Sequence, residues 1–96
     1  MNANEIIINL LEHYKIEYKH PYNIDYRVDS FDIDFFLPAN KVFIILEHDK
    51  YNHEIYKDIK SLGLLEGYGT VIIPMHEINN QRDLEQYVYS AIHYVR

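Results

Sequence analysis

Val42-Phe43-Ile44-Ile45-Leu46-Glu47-His48-Asp49-Lys50-Tyr51-Asn52-His53 is the stretch whose reading decides the fold. Val42 to Leu46 are all apolar, without polar alternation, which is the pattern of a strand buried on both faces and so placed inside a sheet. Glu47, Asp49 and His53 follow, side chains that bind metals or move protons, at the strand end where α/β proteins gather their chemistry. Upstream, residues 30–37 alternate instead. Phe31, Ile33, Phe35 and Leu37 lie on one side and Ser30, Asp32 and Asp34 on the other. Pro38, Ala39, Asn40 and Lys41 join the two segments.

Parity turns this spacing into a structural expectation. If the connection closes a hairpin with Leu37 opposite Val42, then Asp34 faces Ile45, Asp32 faces Glu47, and directly opposed residues share a face. A slip of two puts Asp34 opposite Glu47, and a slip of one sends the acids to different faces. Two ionised carboxylates about 4 Å apart repel by roughly 4 kcal/mol at an effective dielectric of about 20. A divalent cation removes that repulsion.

The 96 residues suit a single domain spanning 1–96. A charged fraction of 25% with 48% hydrophobic residues predicts a folded rather than disordered chain. The absence of cysteine excludes disulfides, thiolate zinc sites and cysteine nucleophiles. No apolar run approaches the length of a membrane span, so no membrane partner is expected. The N-terminal residues lack the basic region and cleavage site of a signal peptide, which predicts an intracellular location, cytoplasmic or organellar. A net charge of −6 counts against broad, non-specific binding of nucleic acid, although a metal-binding acidic centre itself contributes to that balance.

Along the chain, Asn4 is placed to cap a first helix packed through Ile7, Leu10, Leu11 and Tyr14. Residues 16–22 alternate loosely as a first strand that Pro21 marks as an edge or an end, and residues 23–25 supply a turn. Residues 27–37 and 42–47 are the second and third strands. From Asn52 the period changes to that of a helix through Ile55, Ile59 and Leu62, with Gly63 at its end. Residues 70–74 read as a fourth strand parallel to the third after this crossover. Asn79 or Asn80 caps a last helix packed through Leu84, Val88, Ala91 and Val95. The expected architecture is αβββαβα, an α/β (α+β) domain with one mixed four-stranded sheet flanked by helices.

The chain resembles the PD-(D/E)XK, restriction-endonuclease-like superfamily, in the branch containing the very-short-patch-repair-like endonucleases and the RAP domains. The resemblance rests on Glu5 in the first helix, Asp34-Phe35-Phe36-Leu37-Pro38, Glu47-His48-Asp49-Lys50-Tyr51-Asn52-His53, and Gly67-Tyr68. Ile73-Pro74-Met75-His76-Glu77-Ile78 is similar to the Ile-Pro-x-x-Glu-Trp ending of RAP domains, with Ile78 in place of Trp. The sequence also departs from the branch in placing Lys50 where it expects Gly, and it shares with the branch Asp49 at the position of the parent motif's catalytic Lys.

The resemblance implies a metal-dependent nuclease-like domain. Asp34, Glu47 and Asp49 would hold one or two Mg²⁺ or Mn²⁺ ions, hard cations that prefer oxygen ligands. Glu5 and His53 complete the catalytic set, His53 assisting proton transfer; an acid in the first turn, like Glu5, is also favoured by the helix dipole alone. Lys50, Lys57 and Lys60 are placed to meet phosphates, and a solvated helix face explains them equally well. Asp32 shares the face but not the motif register, and reads as a residue behind the metal-holding acids or facing solvent. His48 points to the opposite face of its strand, where it packs or meets solvent. His13, His20, His76 and His93 show no metal-ligand spacing with one another, so neither zinc nor an organic cofactor is expected. The partner would be nucleic acid, DNA or RNA, bound by the domain alone, as a homodimer or with a larger ribonucleoprotein partner. Two other readings stand beside this one: a non-catalytic RAP-type RNA-binding domain, and a protein-interaction module on a degenerate nuclease fold.

Overall fold

The computed structural model describes residues 2–26, 29–48, 53–65 and 67–94, and for residues 26, 29, 53–56 and 65 the backbone alone. The elements run α1 (Ala3–His13), β1 (Tyr22–Tyr26), β2 (Asp29–Ile33), β3 (Phe35–Leu37), β4 (Val42–Glu47), α2 (His53–Leu65), β5 (Gly69–Pro74) and α3 (Gln81–Ile92), with a 3₁₀ turn at Met75–Glu77. β4 is central. It pairs antiparallel with β3, Leu37 opposite Val42, and parallel with β5, Val42 opposite Gly69. The expected hairpin register and the parallel crossover are both present.

All six β4 residues are buried, because the strand is covered on both faces. Val42, Ile44 and Leu46 join Phe35, Leu37 and Ile73 under α1 and α3, which contribute Ile7, Leu11, Leu84, Val88 and Ala91. Phe43 and Ile45 join Ile33, Phe36 and Ile59 of α2 on the other face. Alternation explains why continuous apolarity was required: in a strand sandwiched between two layers neither parity can be polar. Among the described residues no helix is long and apolar enough to cross a membrane.

The sheet differs from the single four-stranded one expected. β1 and β2 form their own two-stranded sheet, and β3, β4 and β5 form a second. The expected strand over residues 27–37 is broken at Asp34, where the chain bends out of one sheet and into the other. The strand expected over residues 16–22 shrinks to one bridge, with Lys19 and Phe36 exchanging N–H···O bonds of 2.8 and 3.0 Å. Pro21 stops it there, since proline has no N–H for the next rung. Residues 23–25, expected as a turn, are instead the middle of β1.

Helix boundaries shift for identifiable reasons. Asn2, not Asn4, caps α1, its Oδ1 accepting from Glu5 N–H at 3.3 Å. Asn80 caps α3 by accepting from Asp83 N–H at 3.0 Å. α2 runs through Gly63, which lies against β5: a Cβ there would sit 3.0 Å from Thr70 Oγ1. The chain reverses at Gly67 instead, with φ at 81°. After α1, the Tyr18 hydroxyl donates to Glu12 Oε1 at 3.0 Å, a bond that raises the Tyr18 pKa.

Gly67 offers open space around a Cβ, so Gly67→Ala isolates backbone strain and should cost about 1 kcal/mol. Ile44, fully buried beneath the helices, should lose about 2–5 kcal/mol as Ile44→Ala. Urea denaturation of both variants checks the ranking, and equal losses would contradict it.

Candidate functional site

Asp34 is held from two sides. By alternation from Ile44, the Leu46 N–H points toward β3, but the chain has bent away at Asp34 and offers no carbonyl opposite. Asp34 Oδ2 accepts that N–H at 2.7 Å and extends the ladder with a side chain. The Asp34 carbonyl faces the other way, in line with Phe36, toward the rung that Pro21 cannot supply. His20 Nδ1 donates to it. The His20 ring lies flat on Phe35, centroids 4.2 Å apart at 14°. Since a carbonyl oxygen only accepts, Nδ1 carries the proton and a neutral His20 keeps Nε2 as an acceptor.

Glu47 ends β4 opposite Pro74. At 7% exposure it is the only buried polar or charged residue among the described ones. Its carboxylate makes no hydrogen bond or ion pair among the described residues. By alternation it shares the face of Phe43 and Ile45, whereas Leu46 and His48 belong to the opposite one. The Asp34 carboxylate therefore reaches the backbone of the residue before Glu47, at the same end of the central strand.

The remaining predicted residues are distributed around this end. Glu5 is exposed on the first turn of α1, over the Leu46 face, and among the described residues no hydrogen bond or ion pair joins its carboxylate to Asp34 or Glu47. Asp49 and Lys50 lie outside the described residues. His53 begins α2, and its side chain also lies outside them. Lys57 and Lys60 are exposed on α2, whose Ile59 packs on the Glu47 face. His48 is exposed and lines a shallow cleft of 390 Å³ with Leu46, Met75 and the first residues of α1.

Asp32 does not oppose Glu47. It pairs with Asn23 in the separate hairpin, and its Oδ1 accepts from Asn23 Nδ2 at 2.8 Å. The split at Asp34 is the reason. His20 is the residue that sequence spacing missed: it lies fourteen positions before Asp34, and only the bridge at Lys19 brings it there. Pro21, already legible as the end of a strand, was the available signal.

Chemically, Asp34 and Glu47 offer oxygen donors to a hard cation. Among the described residues no group of three or more histidine, aspartate or glutamate side chains stands ready to hold a metal, so a third ligand would come from outside them or from the backbone. Comparison with protein-family models, curated proteins and solved structures finds no match.

Two substitutions separate structural from ligand-binding duty. Asp34→Ala should cost about 1.5–3 kcal/mol by orphaning the Leu46 N–H, while Asp34→Asn, which keeps an acceptor, should retain most of it. Glu47→Gln in metal-free buffer should be about as stable as the parent, because no hydrogen bond or ion pair among the described residues depends on the Glu47 charge. Denaturation midpoints in the presence of a chelator report both.

Proposed function

We propose that the chain is a metal-dependent nuclease-like domain that hydrolyses phosphodiester bonds in nucleic acid. The observation that carries this reading is the placement of two carboxylates at the same end of the central strand, Glu47 closing β4 and Asp34 bonded to the Leu46 N–H, with no hydrogen bond or ion pair to the Glu47 carboxylate among the described residues. Two like charges brought to one strand end repel, and a bound cation offsets that repulsion. The order of elements also supports a restriction-endonuclease-like arrangement, with the alternating strand, the buried strand and the crossover to a parallel strand in the sequence that superfamily has.

In this reading Asp34 and Glu47 hold Mg²⁺ or Mn²⁺, with Asp49 as a further ligand. When bound, the ion activates water and stabilises the charge that develops on the phosphate. Asp34 is oriented by the Leu46 N–H on its carboxylate and by His20 on its carbonyl, so its approach to a ligand is fixed by the sheet itself. His53, at the start of α2, is the residue for proton transfer, and Lys57 and Lys60 on the same helix meet the flanking phosphates. Glu5, exposed on the other side of the sheet, acts in this reading only if substrate brings it to the site.

A second reading, RNA binding of RAP type without cleavage, draws on the Ile73 to Ile78 segment. There Ile73, Met75 and Ile78 pack into the core and leave His76 and Glu77 exposed, 3.9 Å apart. Single-stranded and duplex DNA and RNA, incubated with Mg²⁺ or Mn²⁺, distinguish the two. Cleavage should appear, and Asp34→Asn and Glu47→Gln should each reduce it by more than the roughly 100-fold typical of losing a ligand's supporting contact. Salt-dependent RNA binding with no product in any metal selects the second reading. Binding of neither nucleic acid favours the protein-interaction module.

A further inference from the structure

Among the described residues β5 is an edge strand, and before Pro74 at its end it carries none of the features that discourage pairing. Gly69 N–H donates to Lys41 O at 2.9 Å, which fixes the alternation: Gly69, Val71 and Ile73 turn their backbone groups toward β4. Thr70, Ile72 and Pro74 turn theirs outward. Among the described residues no other hydrogen bond is made by the backbone N–H or C=O groups of Thr70 and Ile72. Sheet edges are usually blunted by lysine, a bulge or an inward-pointing charge. Gly-Thr-Val-Ile-Ile-Pro carries no charge at all.

We propose that the outer edge of β5 pairs antiparallel with the same strand of a second copy of this chain, about a two-fold axis through Val71. The hydrogen-bond pattern is self-complementary at that point: Thr70 N–H meets Ile72 C=O of the second copy, Ile72 N–H meets its Thr70 C=O, and the symmetry repeats both exchanges. Pro74, which has no N–H to offer, falls opposite Tyr68 of the second copy, whose own N–H is already donated to Gly63 O, so the pairing ends there. Charge points to the same place. Two chains of net charge −6 repel, and an uncharged strand is where they approach with least penalty. Beside the start of β5, Leu64 and Tyr94 remain 69% and 37% exposed and line an apolar cleft of 360 Å³ with Gly67, Tyr68 and Gly69. Antiparallel pairing brings the Ile73 end of the second strand against this cleft, so the backbone pairing and the apolar contact are covered by one partner. The joined sheet is six strands wide, β3-β4-β5 and its symmetry mate. The inference stands independently of the acidic end of β4 and its chemistry.

Sedimentation across a concentration series tests this on the intact chain, together with amide exchange read residue by residue. A monomer–dimer equilibrium is expected, with exchange at Thr70 and Ile72 slowing as concentration rises while Gly69, Val71 and Ile73 stay unchanged. Ile72→Pro removes the outward N–H without touching a β4 rung, and should weaken association about tenfold or more. Leu64→Lys, on an exposed helix position, should weaken it as well and keeps the test valid if the proline variant does not fold by circular dichroism. A protein that stays monomeric at millimolar concentration overturns the proposal. So does a dimer that survives both substitutions with Thr70 and Ile72 exchange independent of concentration, or an edge occupied only by added extended peptide.

Discussion

The burial of β4 on both faces is the constraint from which the other elements take their places. A six-residue strand with no polar parity has to be roofed twice, and the chain supplies one roof from its two ends, α1 and α3, and the other from α2, which immediately follows the strand. That demand also explains the topology. A helix inserted between two strands as a roof carries the chain back to its starting edge, so β5 arrives parallel to β4. Glu47 closes β4 at its C-terminal end, where the strand leaves the two layers, and Asp34 reaches the same end through the Leu46 N–H.

Asp34 is where the architecture departs from regularity, and its side chain and carbonyl repair the break. The strand bends there, which would leave the Leu46 N–H and the Asp34 carbonyl without rungs. The carboxylate takes the first and His20 takes the second. An alanine at this position could do only half of that. The same residue therefore serves the end of a sheet and the proposed site, a double role that makes simple loss-of-activity experiments ambiguous unless stability is followed alongside.

How much of this was readable follows from the range over which each signal acts. The Leu37 to Val42 register, the two-sided burial of β4, the parallel crossover and the Asn80 cap are local or set by alternation, and they were legible. The division into two sheets was not. Residues 30–37 alternate without a break, and alternation says which way a side chain points but not which neighbour its strand pairs with. Asp32 was misplaced for that reason. Gly63 looked like a helix end because glycine has two uses, permitting positive φ and permitting close approach, and here the second applies. Of the acidic set, Asp34 reaches the end of β4 through the bend and the Leu46 N–H rather than through the alternation that predicted a face shared with Glu47, and the part of His20 depended on a contact between distant segments that no spacing rule encodes.

The bond between Asp34 Oδ2 and the Leu46 amide also bears on denticity. With one carboxylate oxygen already engaged by the backbone, the other is the one Asp34 has freer to offer a ligand. In the proposed reading Asp34 and Glu47 would hold a hard cation and supply it with oxygen donors. How Asp34 presents itself to such an ion would then be decided by the way a strand ends rather than by a purpose-built loop.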